Sequence, residues 1–185
     1  MKRKALFLDR DGTINEDVGY LYQEEKLKIL PSVPEALQFF QSKGYLLIVI
    51  SNQSGVGKGL YRAEDVEKIN QKIQEELSHK GVKIDAFYFC PHHPDQGCPC
   101  RKPSPGLFLK AIHEWNIDPS LSINVGDTLR DLEAGIRSGI KKNFLVLTGK
   151  GKETLKNLEE FPLREKVEII RDLGELVRIF KQNFF

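Results

Sequence analysis

Short apolar runs that stop abruptly at polar or glycine residues alternate along the chain with stretches whose apolar residues recur every three or four positions. Residues 5–8 (Ala-Leu-Phe-Leu), 45–50, 86–89, 122–125, 143–147 and 167–170 are runs of the first kind, and each predicts a buried β-strand. Residues 34–42 place Ala36, Leu37, Phe39 and Phe40 at helical spacing and stop at Lys43-Gly44. Residues 62–80 carry Val66, Ile69, Ile73 and Leu77 on one face, with Glu and Lys on the other, before Gly81. Residues 105–115, 129–138 and 173–180 continue the helical pattern. Strand and helix alternate throughout, which predicts an α/β fold: a three-layer, Rossmann-like parallel sheet whose ligand site lies outside the carboxyl ends of the strands. No internal repeat, low-complexity segment or linker interrupts the pattern, so a single domain over residues 1–185 is expected.

This strand assignment puts Asp9, Asp11, Ser51, Cys90 and Asp127 at or just past carboxyl ends, where they would converge on one crevice. Asp9 and Asp11 are two residues apart, so in extended backbone they point to one side, and two carboxylates that close call for a hard divalent cation such as Mg²⁺. An EF-hand loop is excluded, because counting from Asp9 its sixth position is Ile14 and its twelfth is Tyr20. Ser51-Asn52-Gln53-Ser54-Gly55 offers hydroxyl, amide and backbone N–H donors to a phosphate. It is not a Walker A loop, since Asn52 stands where that motif has its first Gly, and Gly55, Gly57 and Gly59 read equally as a flexible loop. Asp127 is placed to reach the same cation or to cap the following helix, and Asp131 returns to its face one turn later, within reach of a water or a lysine. Arg101-Lys102 sets two cations side by side, suited to a dianionic phosphate or to a solvated turn.

Composition narrows the picture. With 40% hydrophobic and 29% charged residues the chain is not of the disordered class. Lys plus Arg number 28 against 26 Asp plus Glu, a formal charge of +2, which lacks the global field that drives non-specific nucleic-acid binding. The apolar run after the basic N-terminus is cut at Asp9, so no export signal is expected, and residues 45–50 are far short of the ~20 a membrane helix requires. A soluble cytoplasmic protein with neither membrane nor nucleic-acid partner is the expectation. Three cysteines, Cys90, Cys98 and Cys100, fall within residues 90–100, where Cys-x-His and Cys-x-Cys pairs (Cys90, His92, Cys98, Cys100) could close around a structural Zn²⁺. His93 is an alternative to His92 by spacing, and three free thiols are the alternative to zinc.

Asp9-Arg10-Asp11-Gly12-Thr13, Ser51 after an apolar strand, Lys102, and Gly126-Asp127 with Asp131 resemble, in order, the four motifs of the haloacid-dehalogenase phosphohydrolase superfamily. Within it, FLDRDGTIN, SNQSG, CPHHP, CxCRKP and VGD resemble the heptose-bisphosphate phosphatase family; the nearest rival is histidinol-phosphate phosphatase, to which the short spacer between His92 and Cys98 is closer. The resemblance implies the haloacid-dehalogenase fold with a short zinc loop and no large cap. It implies an Asp9 nucleophile, Asp11 as acid and base, Mg²⁺ held by Asp9, the Asp11 backbone carbonyl and Asp127, and Ser51 and Lys102 on the transferring phosphoryl group. It further implies contacts of Asp17, Gly19, Tyr20, Asn52, Gln53, Ser54 and Arg101 with a small sugar phosphate, and removal of the C7 phosphate; a monomer is expected, although no motif bears on oligomeric state. A zinc-ordered module binding nucleic-acid ends is the reading from another class.

Overall fold

The computed structural model describes residues 1–183. Strands β1 (Ala5–Leu8), β2 (Leu46–Asn52), β3 (Ala86–Cys90), β4 (Ile123–Gly126), β5 (Lys142–Val146) and β6 (Val167–Ile170) form one parallel sheet in the order β3-β2-β1-β4-β5-β6. The helices are α1 (Val33–Ser42), α2 (Ser54–Gly57), α3 (Ala63–Ser78), α4 (Gly106–Glu114), α5 (Leu129–Arg137), α6 (Gly151–Leu155) and α7 (Leu173–Gln182). All six strands and five of these helices match the apolar pattern. The short α2 and α6, with 4 and 5 residues, hold too little sequence to show a period.

Both faces of the sheet are covered, and this explains the unbroken apolar strands. Leu6, Leu8, Leu47, Val49 and Val125 point to one side and pack on Leu37 and Phe40 of α1, Ile69 and Ile73 of α3, and Leu176 of α7. Ala5, Phe7, Ile48 and Ile50 point to the other, against Leu107, Phe108 and Ala111 of α4 and Ala134 of α5. The Phe7 and Phe108 rings sit 5.1 Å apart at the centre of that layer. Three layers result, as the alternation predicts.

The chain runs outward from β1 through β2 to β3, then restarts at β4 beside β1 and runs outward again. The order reverses between β1 and β4, and a crevice opens there at the carboxyl ends. Between β1 and α1 lie only a loop and one 3-10 turn (Glu24–Lys26), so no cap domain is inserted at that point. Among the described residues no helix is long and apolar enough to cross a membrane.

Candidate active site

Asp9 follows β1 and Asp127 follows β4, so the switch point itself brings them together. With Asp131 they form a cluster whose carboxylate oxygens lie within 4.8 Å of one another. Asp131 is fixed by the start of α5: its Oδ2 accepts from Thr128 N at 3.1 Å while Thr128 Oγ1 accepts from Asp131 N at 3.4 Å, a capping box. Thr128 is therefore the N-cap, which leaves Asp127 free of the capping role that its position also allowed. The chain passes Asp127 closely. Gly12 has φ +91°, and a Cβ there would come within 2.1 Å of Asp127 Oδ2, so only glycine permits this approach.

Lys102, in the segment between β3 and α4, reaches the cluster and is buried. Its Nζ donates to Asp9 Oδ1 at 2.9 Å and to Ile50 O at 2.6 Å, and it pairs with Asp131 Oδ1 at 2.8 Å. Burial alone would favour its neutral form, but the Asp131 and Asp9 carboxylates outweigh that and hold its pKa above the ordinary lysine value. One ammonium cannot balance three carboxylates. Burial, then the Asp131 charge, raises Asp9 to about 6 against the pull of Lys102. Burial, then the Asp9 and Asp131 charges, raises Asp127 to about 10.

Asp127 Oδ1 is buried with no hydrogen-bond partner, although Oδ2 accepts from Lys150 N at 2.8 Å. An unpartnered buried acceptor costs on the order of 1–3 kcal/mol. Hard oxygen donors, an excess of negative charge and an orphaned carboxylate oxygen fit a divalent cation of the Mg²⁺ type.

Asp11 behaves differently from the expectation of a cation shared between its carboxylate and that of Asp9. Its side chain is met by Arg10 Nη2 at 3.1 Å, Asn15 Nδ2 at 3.0 Å and Gln53 Nε2 at 3.0 Å, and it is not part of the acidic cluster, where Asp131 stands instead. The buried Arg10 between the two aspartates in sequence supplies the counter-charge on the protein side.

The crevice is a cavity of about 340 Å³ lined by Asp9, Asp11, Asp17, Gly19, Tyr20, Asn52, Gln53, Ser54, Arg101, Lys102, Asp127 and Asp131, all expected from the sequence. Ser51 is the exception among the expected residues: it is buried beneath the cavity, where its Oγ accepts from Gln53 Nε2. Asn52 spends its amide on Lys102, accepting from Lys102 N at 3.0 Å and donating to Lys102 O at 3.1 Å, which fixes the lysine's backbone. Arg101 Nη1 is buried without a partner, the state of a donor whose acceptor is a ligand.

The cavity also takes in Lys58, Tyr61, Pro94, Thr128, Arg130 and Lys150, which the sequence reading did not single out. Lys150 lies four residues past β5, and the strand-end rule that picked Asp9 and Asp127 reaches it. Gly55 and Gly57 are not in a flexible loop but in α2, where a Cβ on Gly57 would strike the His93 backbone N at 2.2 Å. The helix is thereby pressed onto the segment that follows β3.

That segment carries the second donor set, Cys90, His92, Cys98 and Cys100. Sulfur atoms of Cys90, Cys98 and Cys100 are 3.0–3.5 Å apart, and His92 Nδ1 is 3.4 Å from Cys90 Sγ and 3.1 Å from Cys100 Sγ. These distances are too long for a disulfide and slightly shorter than the ~3.8 Å edge of a tetrahedron with Zn–S bonds of ~2.3 Å. His93 turns away, its Nδ1 accepting from Asp95 N at 3.1 Å. Burial and the neighbouring thiols push Cys90 up, and burial raises Cys100; at Cys98 burial is outweighed by hydrogen bonds from the other two thiols, which bring it down to about 6. Four soft or borderline donors converging in one place fit a closed zinc set. Pro94, between His92 and Cys98, and Arg101, next after Cys100, both line the cavity.

A parallel α/β sheet with acidic residues at its switch point, a buried lysine between them and no inserted cap defines a haloacid-dehalogenase-type phosphohydrolase, and a family model described as HAD-hydrolase-like matches residues 99–176. The chain is 40% identical to the D-glycero-beta-D-manno-heptose-1,7-bisphosphate 7-phosphatase of Pasteurella multocida (strain Pm70), covering 97% of this chain and 99% of that protein. It is 37% identical to the corresponding alpha-anomer 7-phosphatase of Campylobacter jejuni, with 99% of each covered. The D,D-heptose bisphosphate phosphatase from B. bronchiseptica, solved in complex with magnesium and phosphate, superposes with a TM-score of 0.89 at 32% identity over 97% of this chain and 99% of that one. The chain belongs to the D-glycero-D-manno-heptose-1,7-bisphosphate phosphatase family.

Proposed function

We propose that this chain acts as a single phosphatase domain that removes the C7 phosphate from D-glycero-D-manno-heptose 1,7-bisphosphate. The observation that carries this reading is the meeting of Asp9 and Asp127 at the switch point, with Lys102 bridging Asp9 and Asp131. Asp9 attacks phosphorus and forms an aspartyl-phosphate, and Asp11 protonates the departing sugar oxygen and then takes a proton from the attacking water. Lys102 stabilises charge on the transferring phosphoryl oxygens, and Asp131 keeps Lys102 aimed. Ser51 supports the same oxygens through the floor of the cavity. Mg²⁺ held by Asp9, Asp127 and the Asp11 backbone carbonyl would neutralise the phosphate so that a carboxylate can approach it.

The remote end of the substrate meets Asp17, Gly19, Tyr20, Ser54 and Arg101, and the zinc-ordered segment takes the place of a cap by presenting Arg101. Apart from Asp9 and Asp11, whose carboxylates are engaged by Lys102 and Arg10, the exposed and half-exposed charged residues of the cavity are Lys58, Arg101, Arg130 and Lys150 against Asp17, which pairs with Lys150 at 3.9 Å. Such a rim attracts a second phosphate and repels the ammonium of histidinol phosphate. Thiolate zinc ligands require a reducing compartment, which supports a cytoplasmic enzyme, acting as a monomer on heptose destined for lipopolysaccharide.

Assayed side by side with Mg²⁺, both anomers of the heptose bisphosphate and histidinol phosphate should separate in kcat/KM by at least about 100-fold, in favour of a bisphosphate. Equal rates, or a preference for histidinol phosphate, would remove the proposed substrate while leaving the phosphatase chemistry in place.

A further inference from the structure

Both oxygens of Asp11 are occupied. Oδ1 accepts from Arg10 Nε and Nη2, each at 3.2 Å, and from Asn15 Nδ2 at 3.0 Å; Oδ2 accepts from Arg10 Nη2 at 3.1 Å and Gln53 Nε2 at 3.0 Å. Arg10 is 0% exposed, and a guanidinium that deep is tolerated only if its donors are paired. Its remaining Nη1 donates to Asn70 Oδ1 at 3.2 Å. Asn70 sits in α3 on the face of Val66, Ile69 and Ile73, where the amphipathic pattern asks for an apolar residue, and it does not line the reaction cavity. On the other side of Asp11, Tyr61 OH donates to Gln53 Oε1 at 3.0 Å. Burial holds the Tyr61 phenol up at about 12, so it remains a donor at neutral pH. With Gln53 Oε1 taken in this way, its amide nitrogen is the end turned to Asp11.

We propose that Asn70 and Arg10, with Tyr61 and Gln53 opposite, are positioning residues that fix the rotamer of the Asp11 carboxyl and so the direction from which it delivers its proton. The inference rests on the reading of Asp11 as the acid and base. As the Asp9 oxygen bonds to phosphorus and the P–O bond to the sugar breaks, the Asp11 proton ends on the sugar oxygen. Proton donation of this kind needs a heavy-atom approach of about 2.6–3.2 Å. A carboxyl free to turn visits that geometry rarely. Gln53 then acts chiefly through Asp11, and its place in the cavity wall is secondary.

The leaving group supplies the test. An alkoxide departs only if protonated, whereas p-nitrophenolate departs unaided, so a misplaced acid slows one ester and not the other. Asn70→Leu should lower kcat/KM by about tenfold or more on the heptose bisphosphate, or on whichever alkyl phosphate turns over fastest, and by less than about threefold on p-nitrophenyl phosphate. Asn70→Asp keeps an acceptor for Arg10 and should stay within about threefold of the parent on both. Equal losses on the two esters, or no loss, would overturn the positioning role. Should Asn70→Leu fail to fold, Tyr61→Phe carries the same comparison, since it keeps the ring stacked on Tyr22 and removes only the hydroxyl. Asp11→Asn serves as the reference: if it lacks the selective loss, the acid–base reading has failed and takes this inference with it, whereas a selective Asp11→Asn beside an unaffected Asn70→Leu removes the positioning role alone.

Discussion

Asp9→Asn is expected to lower kcat by at least about 10⁴-fold, a loss of roughly 5.5 kcal/mol of transition-state stabilisation, in a protein that still folds. An amide cannot form the aspartyl-phosphate, and no neighbour can take over. Asp127 would be taken up by Mg²⁺ under assay conditions, and Asp131 is committed to Lys102 and to the α5 cap. The fold should tolerate the change because the amide has the shape of the carboxyl and Lys102 keeps two of its three partners, Asp131 and the Ile50 carbonyl. Phosphate release measured with circular dichroism on the same sample decides it. Retained turnover would show that the nucleophile lies elsewhere.

The second large effect is expected at Cys98. Metal analysis of the parent should find about one Zn²⁺ per chain, retained when Mg²⁺ is chelated, because thiolates hold zinc far more tightly than carboxylates hold magnesium. Cys98→Ser removes one of four converging donors and should lose most of that zinc. In the polar segment between β3 and α4 Cys98 and Cys100 are only partly buried against the core, and zinc held there would add its binding energy to the ordering of the segment. A loss of about 3 kcal/mol, or roughly 6–12 °C in Tm, is expected, together with a raised KM, because Arg101 and Pro94 are carried into the cavity by this segment. Zinc content, melting and KM unchanged from the parent would mean that the cysteines are free thiols.

The parts of this molecule that were legible in its sequence are those that depend on chain order and apolar period. Residues 5–8 and 122–125 read as buried strands, and that alone predicted that Asp9 and Asp127, more than a hundred positions apart, would share one crevice. What escaped was side-chain direction. Spacing paired Asp11 with Asp9, but Arg10 folds beneath the sheet edge and draws the Asp11 carboxylate to itself, and the third member of the cluster is Asp131, turned inward by the start of α5. Gly55 and Gly57 looked like loop residues because composition does not reveal that a Tyr61 ring and the His93 backbone lie where their side chains would be. Asn70 interrupts the apolar face of α3 and was not singled out, because only its partner, sixty positions away, explains it.

Binding of Mg²⁺ to the acidic cluster is the measurement nearest the centre of the account. In the cation-free protein Asp127 titrates near 10 and Asp9 near 6, above the ordinary carboxylate range, so the folded state holds protons that the unfolded chain gives up above about pH 4. The stability of the cation-free protein should therefore fall as pH rises from about 4 toward 10, and Mg²⁺ should bind more tightly over the same range. Titration calorimetry at pH 7, in buffers of different ionisation enthalpy, should give one Mg²⁺ per chain with release of about one proton, and Asp127→Asn should abolish both. No saturable binding, or binding that Asp127→Asn leaves unchanged, would contradict it.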